Sequence, residues 1–112
     1  MKGTYLGEFE ELVLLTVAVL YDEAYGVAVK EEIEKQTERS VSIGAVHAAM
    51  VRLEEKGFLE SRFGEATAER GGKRKKLYTV TTAGQKALKE ALDVRQRLWN
   101  KIPDMVFNLK LG

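Results

Sequence analysis

The chain has no cysteine, one proline and one histidine in 112 residues. Without cysteine, no disulfide and no thiolate metal centre carries the fold, and an intracellular, cytoplasmic setting is the expectation. One histidine, His47, excludes a histidine pair for a metal within one chain. No glycine-rich phosphate loop leads into a helix, so little is present from which to build a catalytic centre. No enzyme activity, metal or cofactor is therefore expected. The N-terminus lacks the basic-then-apolar order of a secretory signal. The longest apolar run, Leu12 to Leu20, is broken by Thr16 and is too short to span a bilayer. Carboxylates such as Glu31, Glu32 and Glu34 fall at solvated helical positions and serve solubility.

What is present describes one soluble globular domain, 45% hydrophobic and 31% charged. Its core is modest, and a partner surface is an expected source of further stability. The net charge of +1 conceals an uneven distribution. Residues 1–40 carry four Lys/Arg against nine Asp/Glu, whereas residues 65–76 carry five against two and residues 77–112 carry six against three. An acidic front and a basic back suit a molecule with one face turned to a polyanion.

Apolar spacings of three and four predict a first helix over residues 7–20, with Leu6, Phe9, Leu12, Val13, Val17 and Leu20 in its stripe. Leu14, Leu15 and Ala18 widen that stripe, so the helix is expected to be covered on more than one side. A break follows, with Asp22 as a cap for a second helix over 26–37. Ser42 caps a third helix over 43–56. Ile43, Val46, Met50 and Leu53 form its inward stripe. The opposite side carries Gly44, Ala45, Ala48, Val51, Arg52 and Glu55, with His47 at the margin. Small side chains on an exposed face are unusual, because solubility favours Lys and Glu. They make sense where another surface must approach closely. Gly57 ends the helix.

Residues 58–63 and 75–81 read as two strands joined by a long connection with Gly64, Gly71 and Gly72. Thr81 or Thr82 caps a last helix that stops at Pro103. One side of it bears Ala87, Leu88, Ala91, Leu92, Val94, Leu98, Trp99 and Ile102. A short apolar tail, 103–112, follows and is expected to fold onto a partner. The predicted fold class is mainly α with a small β-ribbon. Its organisation is a winged helix-turn-helix domain over 1–81 and a dimerisation helix with tail over 82–112, forming one structural unit. In that arrangement the third helix enters a major groove, which is wide enough for a helix. Arg70, Lys73, Arg74, Lys75 and Lys76 on the ribbon tip meet phosphates, with Gly71 and Gly72 letting the tip adapt. Such contacts attract and position but do not read sequence.

Three pieces together are specific: Tyr25-Gly26 opening the second helix; Val41-Ser42-x-Gly44 and Arg52-Leu53-Glu54-x-x-Gly57 bounding the third; and Gly-Gly-Lys-Arg-Lys-Lys running into Tyr78 and Thr81-x-Ala83-Gly84. With them, residues 6–92 resemble the DNA-binding domain of the phenolic-acid regulator (PadR) family of bacterial transcription factors. The resemblance implies a homodimer held by the last helix with help from the first. It also implies repression, often relieved by a small molecule. Many family members have Thr-x-Tyr-Pro where this chain has Ala45-Val46-His47-Ala48, so a position that often holds a DNA-contacting tyrosine is His47 here. The short C-terminal region fits the compact branch without a separate effector domain.

The expected partners are double-stranded DNA, a second copy of the chain and a small aromatic ligand, with no membrane. Ser42, Gly44, Ala45, His47, Ala48, Arg52, Arg70, Gly72, Lys73, Arg74, Lys75 and Lys76 are the DNA-binding candidates. His47 meets phosphate, base or neither; Arg52 touches DNA or forms a surface ion pair. Leu88, Leu92, Leu98, Trp99 and Ile102 are the dimer candidates. Trp99, with Leu92, Arg95 and a partner's Phe9, either lines a ligand cavity between subunits or packs as core. A protein-interaction adaptor is the competing function, since winged helices also serve as docking modules. The retained basic wing discriminates against it.

Overall fold

The computed structural model describes residues 5–66 and 74–108. Its order is α1 (Glu8–Leu20), a short 3₁₀ turn (Tyr21–Glu23), α2 (Gly26–Thr37), α3 (Ile43–Glu55), β1 (Leu59–Ala66), β2 (Arg74–Val80), α4 (Thr82–Lys101) and α5 (Asp104–Phe107). The mainly helical fold with one small ribbon and a long last helix is the one read from the sequence.

The core forms where the apolar stripes of the first three helices meet. Val13, Leu14 and Val17 of α1, Val29 and Ile33 of α2, and Val46, Ala49, Met50 and Leu53 of α3 are all buried. Full burial of such a side chain contributes about 1.5–3 kcal/mol before entropy is counted. Phe58, Leu59 and Tyr78 close the core from the ribbon side. Two details differ from the expectation. Asp22 lies in the 3₁₀ turn, and α2 is instead preceded by Tyr25, whose side chain makes no cap. In α1, Leu15, Ala18 and Val19 stay exposed, because none of the described residues covers that side.

Ser42 caps α3, its hydroxyl accepting from the Ala45 amide at 3.0 Å. Thr81 caps α4 by accepting from the Gly84 amide at 3.0 Å, and its hydroxyl donates to the Gly57 carbonyl at 2.6 Å. The two strands pair antiparallel, Leu59 opposite Val80 and Phe63 opposite Lys76, with an irregularity between Phe63 and Ala66. The Tyr78 amide donates to the Ala24 carbonyl at 2.9 Å, which ties the ribbon to the body.

α4 is the exception to compactness. Of its residues only Gly84 is buried; Ala87, Leu88 and Ala91 are partly covered, and Leu92, Val94, Leu98 and Trp99 are exposed. The radius of gyration is 17.1 Å, against about 13 Å for a compact chain of this length. The helix, about 30 Å long, therefore projects from the body. In α5, the Phe107 ring lies 5.1 Å from that of Trp99.

One ion-pair cluster reaches into the base of α1. Glu10 is 7% exposed. Its carboxylate accepts from Lys56 at 2.6 Å, Arg52 at 2.9 Å and the Gly7 amide at 3.2 Å. Burial alone would raise its pKa, but the hydrogen bonds from Lys56, Arg52 and Gly7 outweigh it, and the pKa is lowered. A lowered folded pKa means the unfolded chain takes up the proton more readily. The stabilisation is therefore complete above the ordinary glutamate range and is lost as pH falls through the folded value. Urea melts of wild type and Glu10→Gln should differ by roughly 1–3 kcal/mol near neutral pH, and the difference should shrink as the solution is acidified.

Candidate nucleic-acid interface

The buried stripe of α3 decides what its other side presents. Because Val46, Ala49, Met50 and Leu53 face the core, Gly44, Ala45, Ala48, Val51, Arg52 and Glu55 face out, and all are exposed. At about 100° per residue, Gly44, Ala48, Val51 and Glu55 run along the centre of that face. His47 flanks it on one side and Arg52 on the other.

The His47 flank faces the ribbon. His47 and Val51 share a concavity of about 400 Å³ with Arg74, Lys76 and Tyr78 of β2 and Tyr25, Gly26 and Val27 at the start of α2. Three elements distant in sequence thus converge on one groove with cationic walls. Its basic side chains are placed rather than loose. The Arg74 guanidinium lies 5.5 Å from the Phe63 ring centre and donates to the Gly64 carbonyl at 2.9 Å. The Lys75 ammonium sits 4.2 Å over the Tyr25 ring, and that of Lys76 lies 5.7 Å from the Tyr78 ring. Cation–π contacts of this kind hold the charge in place while leaving much of it exposed to an anion.

The sequence-derived candidates are distributed as follows. Ser42, Gly44, Ala45, His47, Ala48 and Arg52 stand on α3 or at its cap, and Arg74, Lys75 and Lys76 on β2. Arg70, Gly72 and Lys73 lie outside the described residues, as does Gly71. Arg52 forms the ion pair with Glu10 while its side chain remains 51% exposed. Tyr25, Val27 and Phe63 join the site without a local signal in the sequence: Tyr25-Gly26 reads only as a helix opening, and no spacing rule connects residue 25 to residues 74–78.

The candidates for a ligand cavity are less gathered within one chain. Phe9 is partly buried under the Arg39 guanidinium, 5.7 Å from its ring centre. Arg95 pairs with Glu11 at 2.9 Å, which raises its pKa further. A cavity of about 370 Å³ between α1 and α4 includes Arg95, but its walls are Tyr5, Leu6, Ala87, Ala91, Val94 and Leu98, with Glu11 and Glu90; Phe9, Leu92 and Trp99 do not line it. Among the described residues no group of acidic and histidine side chains could hold a metal ion, and no helix is long and apolar enough to cross a membrane.

Three packed helices followed by a two-stranded wing, with α3 displayed beside it, define a winged helix-turn-helix protein. Residues 14–90 match the family model described as the transcriptional regulator PadR-like family. The chain belongs to that family, which is one of transcriptional regulators and not of enzymes. No match was found among the curated proteins. Solved structures similar to this chain include a PadR-like transcriptional regulator from Bacillus cereus at 17% identity, covering 91% of this chain and 93% of that one with a TM-score of 0.72. A PadR family regulator from Clostridium difficile is 22% identical, covering 91% and 100% with a TM-score of 0.69. One from Eggerthella lenta is 23% identical, covering 88% and 83% with a TM-score of 0.67. At these identities the likeness concerns the fold.

Close approach at the groove floor gives a specific test. A Cβ on Gly26 would lie 2.2 Å from His47 Nε2. Gly26→Ala must displace the His47 ring, so it should be less favourable in the wild type than in a His47→Ala background, where the helix-propensity gain of up to about 1 kcal/mol is unopposed. Thermal denaturation of the two single variants and the double variant measures that coupling.

Proposed function

We propose that the protein is a homodimeric, sequence-specific DNA-binding transcriptional repressor. The observation that carries this reading is the juxtaposition of α3's small-residue face with the cation-lined groove of β2. A helix without bulky exposed side chains can lie deep in a major groove, where base edges are distinguishable. Ala45, Ala48 and Val51 suit contact with thymine methyl groups, and His47 sits between the groove floor and the approaching strand. Arg74, Lys75 and Lys76 meet phosphates, and Arg70 and Lys73 add to the same positive charge along the sequence. Ser42 and the start of α3 present backbone amides to another phosphate.

The dimer is supported by what α4 leaves uncovered. Leu98 is 64% exposed and Trp99 59% exposed, and Leu92 and Val94 on the same helix are exposed as well. So much apolar surface on one projecting helix suits burial against a second copy. Leu88 and Ile102 extend the surface at either end. Two α3 helices then meet successive turns of an inverted-repeat operator, with half-site centres about 34 Å apart. Trp99, on the same side of α4 as Leu92 and against Phe107, suits a small apolar, aromatic ligand that would release the protein from DNA. Titration of such compounds against tryptophan fluorescence tests that element.

Selection of binding sites from random duplexes should return an inverted repeat, and recovery of no enriched sequence would overturn the reading. Arg74→Ala with Lys76→Ala should flatten the dependence of log affinity on log salt by about 0.9 for each phosphate no longer neutralised; an unchanged slope would remove both side chains from the interface. Leu98→Asp should shift the solution mass from dimer to monomer in sedimentation equilibrium and weaken operator binding with it.

A further inference from the structure

The first turn of α1 is attached to three different parts of the molecule through Glu8, Glu10 and Glu11. Glu8 accepts from Arg39, beyond the end of α2, at 2.7 Å. Glu10 holds Arg52 and Lys56 at the end of α3. Glu11 accepts from Arg95 of α4 at 2.9 Å. Adjacent residues on a helix point about 100° apart, so Glu10 and Glu11 reach two different helices from one rigid turn. No loop lies between those two attachments.

The position of Arg95 makes this consequential. α4 is fixed at its start, where Gly84 is buried against Phe58. Beyond Ala91 its side chains lose most cover from the body, and Arg95 is the last residue of the helix with a hydrogen bond to it among the described residues. Arg95 stands eleven residues beyond Gly84, or about 16 Å along the axis. Ala87 and Leu88 pack against the core between them, so Arg95 is the outermost of the contacts that define the direction of α4.

We propose that Glu10 and Glu11 are positioning residues that set the angle between α4 and the recognition helix α3. This rests on the dimeric DNA-binding reading, in which that angle determines how far apart the two α3 helices stand. The Glu11–Arg95 pair is exposed on its arginine side, so it contributes little to stability. Its loss therefore shows in geometry rather than in melting. Glu10 serves the other end, holding the last turn of α3 to the same turn of α1.

The test uses the full chain and duplexes carrying its selected inverted repeat, with the half-site separation unchanged or altered by one base pair. Each added base pair rotates one half-site by about 34° relative to the other. Affinity should fall roughly tenfold when one base pair is added for the wild type, and by only about two- to threefold for Glu11→Gln. Glu31→Gln, an exposed α2 carboxylate, controls for the change in charge and should keep the wild-type profile. Glu10→Gln should broaden the profile in the same way; if that variant does not fold, Lys56→Gln tests the Glu10 link from its other side. A Glu11→Gln profile as sharp as the wild type, with an unchanged melting temperature, would overturn the positioning role and leave the DNA-binding reading intact. Absence of wild-type binding at every separation would overturn both.

Discussion

The packing of α3 through Val46, Ala49, Met50 and Leu53 fixes which of its sides can meet another molecule. A helix has one circumference. Once these four positions are committed to α1, α2 and the ribbon base, Gly44, Ala48 and Val51 must point outward. Ser42 sets where that surface begins, by ending the preceding extended segment and capping the first turn. The ribbon is then anchored beside α3 by the hydrogen bond between Tyr78 and Ala24. The groove follows from those constraints: its floor is the start of α2, its walls are α3 and β2, and its charge comes from side chains held over aromatic rings.

The same limited core explains why α4 projects. The three helices and the ribbon bury one another's apolar surface, and only the first turns of α4 share in it. Leu92, Val94, Leu98 and Trp99 remain largely exposed, although Phe107 lies against Trp99 and Leu6 shares a cavity with Val94 and Leu98. The exposed Leu15 and Val19 on α1 are a second set left over in the same way. A chain of this size cannot cover two such faces by itself, and a second copy supplies the missing surface under the function proposed above. The Glu11–Arg95 pair lies where these regions adjoin, so it can influence direction without contributing much stability.

Several elements were legible because their signals are local. The stripe Val29–Ile33, the Ser42 cap and the Gly57 stop each follow from rules operating over a few residues, and α2 has the limits its periodicity predicts. The small-residue face of α3 was visible for the same reason. Asp22 misled because an acidic residue ahead of a helix is a cap only if the intervening backbone brings it into line, and the 3₁₀ turn carries it elsewhere. α1 was legible as apolar on several sides, but periodicity does not say whether the chain or another molecule covers each side.

The sequence by itself determined the order of elements, the outward face of α3 and the concentration of positive charge near the ribbon, because helical period, capping and charge order act between close neighbours. Only the tertiary structure decided that Tyr25 would meet Lys75, that His47 would rest on Gly26, and that Glu10 and Glu11 would reach opposite helices. Those contacts join residues separated by tens of positions. They depend on how whole helices pack around a shared core, and a linear pattern does not encode that packing at any single spacing.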